Sequence, residues 1–416
     1  MKAVLLSIGD ELLSGSTLDT NSQYLALKLQ SIGIQVEEML TVSDQKSSIV
    51  RSIAQAFEMA DVVISTGGLG PTSDDQVLEA MAEYFQCEIH VDPEVSAHLL
   101  ALLEKRNRAH LMDLNKKQTL ALKGGEVFLN PYGTASVQRI EKNGKLMIAL
   151  PGVPYEMKPI VKEQILPFLS EKYNRPFFRS FSFTLSGIPE SELADRIASW
   201  EASLPLDAQL SYLPVAGRIL LSLSKSGSDL SAVEKELIGY QKSLEPLIAP
   251  FVISDKGKEI AEVLKYLLER KNLTLSVAES CTGGELSRLV VKVPGASTFY
   301  KGGVVAYHIE QKMKLLGVQE KTLSEYGVVS KEVASEMTLG VQSLFESDLA
   351  IATTGTAGPS GDHQHKQVGE VYISVRYRDT EESLRLFLPH LEREDFMNFV
   401  SQRALQLLVE LIVRNE

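Results

Sequence analysis

Ser280 lies in a turn, residues 278–284, whose residue types suit acyl transfer. An apolar, strand-like run at 273–277 precedes the turn, and a helix-like run at 285–293 follows it. A hydroxyl at such a junction can attack a carbonyl carbon, and free N–H groups at the helix start can hold the negative charge that develops. The turn therefore marks a candidate nucleophile, although turns of this kind also occur as plain scaffold.

A serine hydroxyl is a weak nucleophile until a base takes its proton. Lysine can be that base when burial lowers its pKa so that the amine is neutral. Lys312 is the candidate, although the residues alone favour a solvated lysine on a helix. We expect His363 and His365 to be surface side chains, because they lie in a polar, loop-like stretch.

Cys281 competes with Ser280 for the role of nucleophile. A thiol at a helix N-terminus can have a lowered pKa, whereas a small buried cysteine is inert. The residues alone leave both side chains open as the nucleophile.

A glycine loop after an apolar strand at 61–65 marks a second candidate site. The loop consists of Thr66, Gly67, Gly68, Leu69, Gly70, Pro71 and Thr72. Backbone N–H groups in a loop that leads into a helix can cradle phosphate oxygens. The spacing is neither the dinucleotide fingerprint nor the P-loop.

Carboxylates follow the strands that lead to this loop. They are Asp10, Glu11, Asp44, Asp74 and Asp75. Because the carboxyl ends of parallel strands meet at one sheet edge, we expect these side chains to gather there. Carboxylates beside phosphate suit Mg²⁺ or another divalent cation, whereas each aspartate taken alone fits a helix cap equally well.

Alternating strand and helix patterns must position both sites. The expected strands are 3–9, 34–42, 61–65 and 145–150, and the expected helices are 20–32, 45–59, 74–85 and most of 93–122. This order predicts an α/β fold with a parallel sheet covered on both faces. A small α+β segment and a second α/β pattern follow. We expect three domains, at 1–172, 173–253 and 254–416.

The composition bounds the class of protein. The chain has 416 residues and a formal net charge of −12, which argues against nucleic-acid partners because these need basic surface. Cys87 and Cys281 are too few and too far apart for a disulfide framework. No apolar stretch suggests a membrane span. We expect a cytoplasmic protein without nucleic-acid or membrane partners.

The first part of the chain resembles molybdopterin-binding domains of the MoaB, MogA and MoeA type. The resemblance lies in residues 9–12, 19–21 and 66–75, and with 150–157 it points to the version in the CinA (competence/damage-inducible) family. It implies a site for ADP-ribose or a related nucleotide, with a divalent metal and hydrolysis of the nucleotide. The implied nucleotide-binding residues are Gly9, Asp10, Glu11, Asn21, Thr66, Gly67, Gly68, Gly70, Pro71 and Thr72. The implied metal ligands are Asp10, Asp44, Asp74 and Asp75.

The last part of the chain resembles the CinA carboxy-terminal domain. Motifs at 278–284, 294–297, 302–307, 316–318, 327–330 and 354–359 carry the resemblance in order. Members of this family are similar to nicotinamide mononucleotide deamidases. The resemblance implies Ser280 as nucleophile, Lys312 as base and Tyr307 as a relay, with no cofactor needed. The implied substrate-binding residues are Thr282, Gly283, Gly284, Gly303, Gly355, Thr356, Gly358 and Arg393.

Together these resemblances imply a hydrolase of pyridine nucleotide recycling with small nucleotides as its partners. They also imply a homodimer. Two alternatives stay open. One is a nucleotide-binding sensor or scaffold without catalysis, favoured by Gln45 and Asp362 where the family usually has an acidic residue and a glycine. The other is a molybdopterin-binding protein.

Overall fold

The chain packs as two compact units in a computed structural model that describes residues 1–173, 177–215, 217–255, 259–359 and 367–415. The first unit contains Met1–Arg179 and Lys225–Glu236, and the second contains Ser180–Ser224 and Leu237–Glu416. Three domains with boundaries at 173 and 254 therefore stay a prediction.

Strands and helices alternate in the first part of the chain. The strands are β1 Lys2–Ile8, β2 Gln35–Val42, β3 Val62–Thr66, β4 Ile89–Val91, β5 Leu120–Leu122, β6 Glu126–Phe128, β7 Val137–Lys142 and β8 Lys145–Leu150. The helices are α1 Asp10–Leu13, α2 Thr20–Ser31, α3 Lys46–Met59, α4 Val77–Phe85, α5 Pro93–Lys105, α6 Pro154–Ile160 and α7 Leu166–Tyr173. A π-helical segment, Val161–Ile165, joins the last two.

Six of these strands form one sheet in the order β2-β1-β3-β8-β7-β6. The first four are parallel, and β7 and β6 are antiparallel additions. Along β1, Leu5 packs into one hydrophobic core and Leu6 into another, so both faces of the sheet are buried. The register places Ser7 beside Thr66 and Ile8 beside Val42, which brings the loops after β1, β2 and β3 to one edge.

The segment 93–122, expected to be mostly helical, is different. Helix α5 ends at Lys105, and two 3₁₀ turns, Ala109–Leu111 and Asp113–Thr119, lead into β5. Strand β5 pairs with β4 as a separate two-stranded sheet. The helical prediction holds for α5 and the two 3₁₀ turns, but it missed strand β5 and the break after Lys105, where Asn107 adopts a left-handed φ of 56°.

The central part of the chain forms a small sheet with two helices. Its strands are β9 Phe177–Ser186, β10 Ala208–Val215, β11 Arg218–Gly227 and β12 Val252–Ser254, and its helices are α8 Glu190–Glu201 and α9 Leu230–Ile248. The strand order is β10-β11-β9-β12. A core of Phe183, Leu193, Ile197 and Leu221 holds the helices against this sheet.

The last part of the chain returns to an α/β pattern. The strands are β13 Leu275–Glu279, β14 Tyr300–Val305, β15 Leu349–Gly355, β16 Glu370–Tyr377 and β17 Thr380–Phe387. The helices are α10 Ile260–Lys271, α11 Glu285–Val291, α12 Ile309–Leu316, α13 Glu320–Tyr326, α14 Lys331–Phe345 and α15 Arg393–Arg414. The sheet order is β14-β13-β15-β16-β17, with β13, β14 and β15 parallel.

Strand β13 is buried on both faces of the sheet. Val277 packs into the core on one face and Ala278 into the core on the other. The α/β class with helices on both faces of a parallel sheet is therefore confirmed. Ligands of such sheets bind beyond the carboxyl ends of the strands, where Ser280 lies.

Helix α15 is the one helix among the described residues that is long and apolar enough to cross a membrane by length and composition. Of its most apolar window, 61% is buried inside the fold. Phe396, Val400 and Leu408 belong to the main core of this part of the chain. Its apolar character is what a central core helix requires.

Candidate active site

Ser280 and Lys312 meet at the carboxyl end of β13. The Lys312 Nζ donates a hydrogen bond of 2.6 Å to the Ser280 Oγ. Lys312 is on the buried face of α12 and has no exposed surface, while Ser280 is 7% exposed. The geometry thus puts an amine within proton-transfer reach of a hydroxyl in a largely dry place.

Burial changes the chemistry of Lys312. Desolvation lowers the pKa of its ammonium to about 8, since the charged form loses its hydration. Nζ also donates to the Ala306 carbonyl oxygen at 2.6 Å, which holds the amine in place. At this pKa a large share of the side chain is neutral near pH 8, and the neutral amine can accept the proton of Ser280.

Cys281 has the opposite character. Its side chain is fully buried, and desolvation raises the pKa of the thiol to about 12. The reactive form of cysteine is the thiolate, which is scarce at such a pKa. The surroundings therefore favour Ser280 over the adjacent Cys281 as a nucleophile.

Glu279 organises the turn and is a residue that sequence reasoning missed. Its carboxylate has no exposed surface and accepts hydrogen bonds from the N–H groups of Gly284, Leu286 and Ser287 at 2.8–3.1 Å, and from the Ser287 hydroxyl at 2.6 Å. A negative charge at a helix N-terminus is favourable. The signal was a charged residue that ends an otherwise apolar strand and immediately precedes the turn.

This network changes the expected oxyanion site. We expected N–H groups near Thr282, Gly283 and Gly284 to be free, but the Gly284 N–H donates to Glu279 and the Gly283 N–H donates to the Ser280 carbonyl at 3.2 Å. The Thr282 N–H, like that of the neighbouring Cys281, has no acceptor among the described residues. Gly283 and Gly284 have φ of 58° and 103°, and these left-handed values favour glycine.

A cavity of about 420 Å³ and another of about 390 Å³ flank this part of the fold, and Ser280 lines the second. This candidate active-site cavity is also lined by Tyr307, Gly355, Thr356, Gly358 and Arg393. These residues were predicted from the sequence to bind or process substrate. The structure brings them together around one space.

Arg393, the first residue of α15, closes one side of the active-site cavity. Its Nη1 donates to the Gly358 carbonyl at 2.7 Å, and its Nη2 donates to the Tyr307 hydroxyl at 2.8 Å. Two of its five N–H donors are thereby engaged within the protein. No partner for the remaining donors lies among the described residues, which leaves them to an anionic ligand.

Two predicted substrate-binding residues have packing roles in the structure. The Thr282 hydroxyl pairs with that of Thr353 at 2.9 Å, and both side chains are fully buried. Gly303 lies within β14, where a Cβ would come within 2.6 Å of the Val277 side chain. They support the cavity without lining it. Gly361, Asp362, His363 and His365 lie outside the described residues.

The second candidate site is the glycine loop after β3. Gly67 has a φ of 97°, and a Cβ there would lie 2.2 Å from the Ile8 carbonyl oxygen. Gly68 has a φ of 67°, and a Cβ there would meet Val77 at 2.4 Å. Both glycines let the loop pass close to the end of β1 and the start of α4. Thr66 is buried at the end of β3.

Internal hydrogen bonds fix the rest of the loop. The Asp75 carboxylate accepts from the Thr72 N–H at 2.9 Å, and Gly70 contacts the same carboxylate so closely that a Cβ would not fit. Lys117 donates to the Asp75 carbonyl and forms an ion pair of 3.2 Å with Glu79. Lys117 is a basic residue beside the loop that the sequence reasoning did not single out.

Asn21 and the segment that opens α1 lie at the same sheet edge. The Asn21 side chain is buried, and its Nδ2 donates to the Gly152 carbonyl at 2.7 Å. Its Oδ1 is buried without a hydrogen-bond partner in the structure. Gly9 begins α1, and a Cβ there would collide with the Glu11 carboxylate. Pro71 and Thr72 are exposed.

The carboxylates approach one another, but not as helix caps. Helix α3 begins after Gln45 without a side-chain cap, and Asp44 instead accepts from the Asp10 N–H at 2.8 Å. Helix α4 begins after Gln76, so Asp74 is not its cap either. Burial, and the nearby charges of Asp10, Glu11 and Asp74, raise the pKa of Asp44.

These carboxylates fit a divalent cation only if a bound ligand supplies further oxygen atoms. Among the described residues no group of three or more His, Cys, Asp or Glu side chains is placed to hold a metal ion alone. Mg²⁺ is often held by one or two carboxylates plus phosphate oxygens, so Asp10, Asp44 and Asp74 could each contribute. A cation there would also offset the repulsion that raises the pKa of Asp44.

Two families of known domains match the chain. Residues 4–171 match "Probable molybdopterin binding domain", and residues 257–412 match "CinA C-terminal domain". The matches fall on the two regions that contain the candidate sites. They confirm the resemblances that the sequence motifs suggested.

Relatives match over nearly the full length. The chain is 39% identical over 376 residues to a CinA-like protein of Flavobacterium psychrophilum, covering 90% of each chain. It is 36% identical over 406 residues to a CinA-like protein of Cytophaga hutchinsonii, covering 98% of this chain and 97% of that one. A crystal structure of a CinA superfamily protein from Klebsiella pneumoniae is 29% identical, with a TM-score of 0.37, over 38% of this chain and 97% of that one.

Proposed function

The chain belongs to the CinA family, and from this premise we propose that its carboxy-terminal domain hydrolyses the carboxamide of nicotinamide mononucleotide to nicotinate mononucleotide and ammonia. The observation that carries the proposal is the buried Lys312–Ser280 pair at 2.6 Å on the wall of a cavity of about 390 Å³. The substrate identity comes from the family resemblance. The reaction class comes from the chemistry of the pair.

In the first half-reaction, Ser280 Oγ attacks the amide carbon while neutral Lys312 takes the hydroxyl proton. The carbonyl oxygen becomes negatively charged, and the Cys281 and Thr282 N–H groups are donors of the turn for which no acceptor lies among the described residues. Lys312, now an ammonium, returns the proton to the amide nitrogen. The C–N bond breaks, ammonia leaves, and the acyl group stays on Ser280 as an ester.

In the second half-reaction, water attacks the ester and Lys312 again accepts a proton. The C–O bond to Ser280 breaks, Lys312 returns the proton to Ser280 Oγ, and the carboxylate product is released. One base thus serves both halves. The pKa of about 8 lets Lys312 give and take protons near neutral pH.

Phosphate recognition is assigned to Arg393 and the loop that contains Gly355, Thr356 and Gly358. Arg393 keeps donors beyond those used for Gly358 and Tyr307, and backbone donors of a glycine-rich loop suit phosphate oxygens. Binding the phosphate at this end would orient the nicotinamide ring toward Ser280.

Ammonia release from nicotinamide mononucleotide tests this proposal. We expect wild type and Cys281→Ala to release ammonia, and Ser280→Ala and Lys312→Ala to release none above background. Raised melting temperature with the nucleotide but no ammonia from wild type would instead indicate a binding module, the sensor alternative.

For the amino-terminal domain we propose binding and metal-dependent hydrolysis of ADP-ribose. The support is the glycine loop after β3 beside Asp10, Asp44 and Asp74, with Lys117 as a cation next to it. A bound divalent cation would polarise the phosphate oxygens. The residues of the glycine loop would hold the nucleotide. Asn21 Oδ1 is buried and has no hydrogen-bond partner among the described residues, so it would accept a hydrogen bond from the nucleotide.

Release of AMP from ADP-ribose tests this second proposal. We expect AMP with Mg²⁺, none after chelation, and a strong loss in Asp44→Asn. Tight molybdopterin binding without ADP-ribose binding would favour the molybdopterin alternative. ADP-ribose binding without AMP release would restrict the domain to a binding role.

A further inference from the structure

A second cavity in the carboxy-terminal unit has no part in the proposed reaction. We call it the Arg218 cavity; it has a volume of about 420 Å³ and lies between β10 and β11 on one side and α10, α11 and α15 on the other. It shares no lining residue with the cavity that contains Ser280. Its walls combine apolar side chains, such as Leu213, Leu289 and Leu405, with polar ones.

Arg218 has a buried hydrogen-bond donor that a ligand in the cavity would satisfy. Its Nη1 is buried and has no hydrogen-bond partner in the structure, and burial lowers the pKa of its guanidinium. Glu259 lies near enough to act on this charge, but the structure gives no hydrogen bond or ion pair between the two. A buried, unpaired donor on a charged group is costly to keep. An anion in the cavity would remove that cost.

The surroundings of Arg218 are positive in an acidic protein. Arg288 and Lys292 line the same cavity, and Glu259 is the one carboxylate among the described residues that line it. Lys292 pairs with Glu259 at 2.9 Å and Arg288 with Glu285 at 2.6 Å, so Arg218 is the lining cation that has no ion pair among the described residues. Helix α10 also begins at the cavity wall, and its N-cap makes no side-chain hydrogen bond. This local excess of positive charge contrasts with the net charge of −12 of the chain.

We propose that the Arg218 cavity binds a small molecule that carries a phosphate group and an apolar or planar body of mononucleotide size. The phosphate would accept hydrogen bonds from Arg218, whose planar guanidinium suits phosphate oxygens. Leu213, Leu289 and Leu405 would contact the body. Asn398 and Gln402 of α15 line the cavity as well and would supply polar contacts to it. The site is separate from both sites of the proposed function and does not depend on it.

Equilibrium dialysis with AMP, inorganic phosphate and adenosine tests the proposal on the full chain. In Arg218→Met we expect one class of AMP sites to weaken at least about tenfold, because a charge-assisted hydrogen bond is lost. Arg270→Met, which removes an exposed arginine of the same charge, is the matched control and should leave binding unchanged. Ser280→Ala should also retain this class.

Melting of the ligand-free protein gives a second readout. Because Arg218 Nη1 is unpaired, Arg218→Met should melt at the same or a higher temperature than wild type and should lose part of the AMP-induced shift. A purely structural arginine would give a lower melting temperature and an unchanged shift, which would overturn the proposal. Inorganic phosphate that binds as tightly as AMP, or adenosine that competes equally with AMP, would overturn it too.

Discussion

Lys312 shows how burial gives an ordinary side chain the pKa that a general base needs. A free lysine is almost fully charged at neutral pH, but the dry surroundings of Lys312 bring its pKa to about 8. The sequence placed Lys312 as a base only through family resemblance, because the burial of one helix residue cannot be read from its neighbours. Its contact with Ser280 depends on tertiary packing.

The pKa of Lys312 sets the expected pH dependence. The base must be neutral, so kcat/KM for ammonia release should rise with pH and level off above an apparent pKa near 8. Initial rates at several nucleotide concentrations across about pH 6 to 10 measure this profile. A flat profile, or one that falls as pH rises through 8, would contradict neutral Lys312 as the base.

Lys312→Arg is the matched control, since it keeps a cation on α12 but cannot lose its proton in this range. We expect it to be folded, by its melting curve, and to lose the rising limb together with nearly all activity. Activity retained with a wild-type profile would assign the titration to another group.

Glu279 is predicted to be a positioning residue. In Glu279→Gln the Ser287 N–H and hydroxyl lose a charged acceptor, so the free energy of unfolding in urea should fall by about 1–3 kcal/mol. Because the turn that carries Ser280 would loosen, kcat per folded molecule should also fall, while the apparent pKa near 8 stays.

The exposed Glu320 provides the control, because Glu320→Gln also removes one carboxylate at the start of a helix. It should change neither quantity measurably. A loss of stability in Glu279→Gln without any change in kcat would limit Glu279 to a structural role.

Several segments of the first sheet were predictable from the sequence. Strands β1 and β3 are short apolar runs, and helix α3 repeats buried apolar residues at helical spacing. The β16–β17 hairpin was missed. Its turn contains Arg378 with a φ of 55° in place of the Asn-Gly or Asp-Gly pair that usually marks a two-residue turn. Strand β6 was missed because three residues show no period.

Gly67 is predicted to be irreplaceable in the glycine loop after β3. An added methyl group would lie 2.2 Å from the Ile8 carbonyl oxygen, so the loop would have to move away from β1. We expect Gly67→Ala to lower the free energy of unfolding by more than about 2 kcal/mol and to abolish AMP release from ADP-ribose.

Gly15→Ala separates the cost of the left-handed backbone from the cost of the close contact with Ile8. Gly15 has a φ of 73° and nothing within 4 Å of an added Cβ, so it carries only the backbone cost of about 1 kcal/mol. Urea unfolding of both variants measures the difference. Equal losses in the two variants would show that the close approach to Ile8 does not matter.

The chain places its two candidate sites in separate compact units, each at the carboxyl ends of the parallel strands of its own sheet. The sequence predicted both sheets, because each strand-and-glycine pattern is local. The sequence could not predict how the strands and helices that follow β8 pack with the last part of the chain. This packing depends on contacts between residues far apart in sequence, such as the hydrogen bond of 2.5 Å from Gln406 Nε2 to Ser186 Oγ, 220 residues away.

Separate units lead us to expect separate activities. Ser280→Ala should lose ammonia release but keep metal-dependent AMP release from ADP-ribose, and Asp44→Asn should do the reverse. Both assays run on the same preparations make each variant the control for the other. Loss of both activities in both folded variants would show that the sites depend on each other.

Mass spectrometry of the protein quenched during turnover of nicotinamide mononucleotide tests the roles of Ser280 and Lys312 most directly. We predict a nicotinate mononucleotide ester on the peptide that contains Ser280, absent in Ser280→Ala and present in Cys281→Ala. An adduct on Cys281, or ammonia release by Ser280→Ala at the wild-type rate, would contradict the assignment of Ser280 and Lys312 as nucleophile and base.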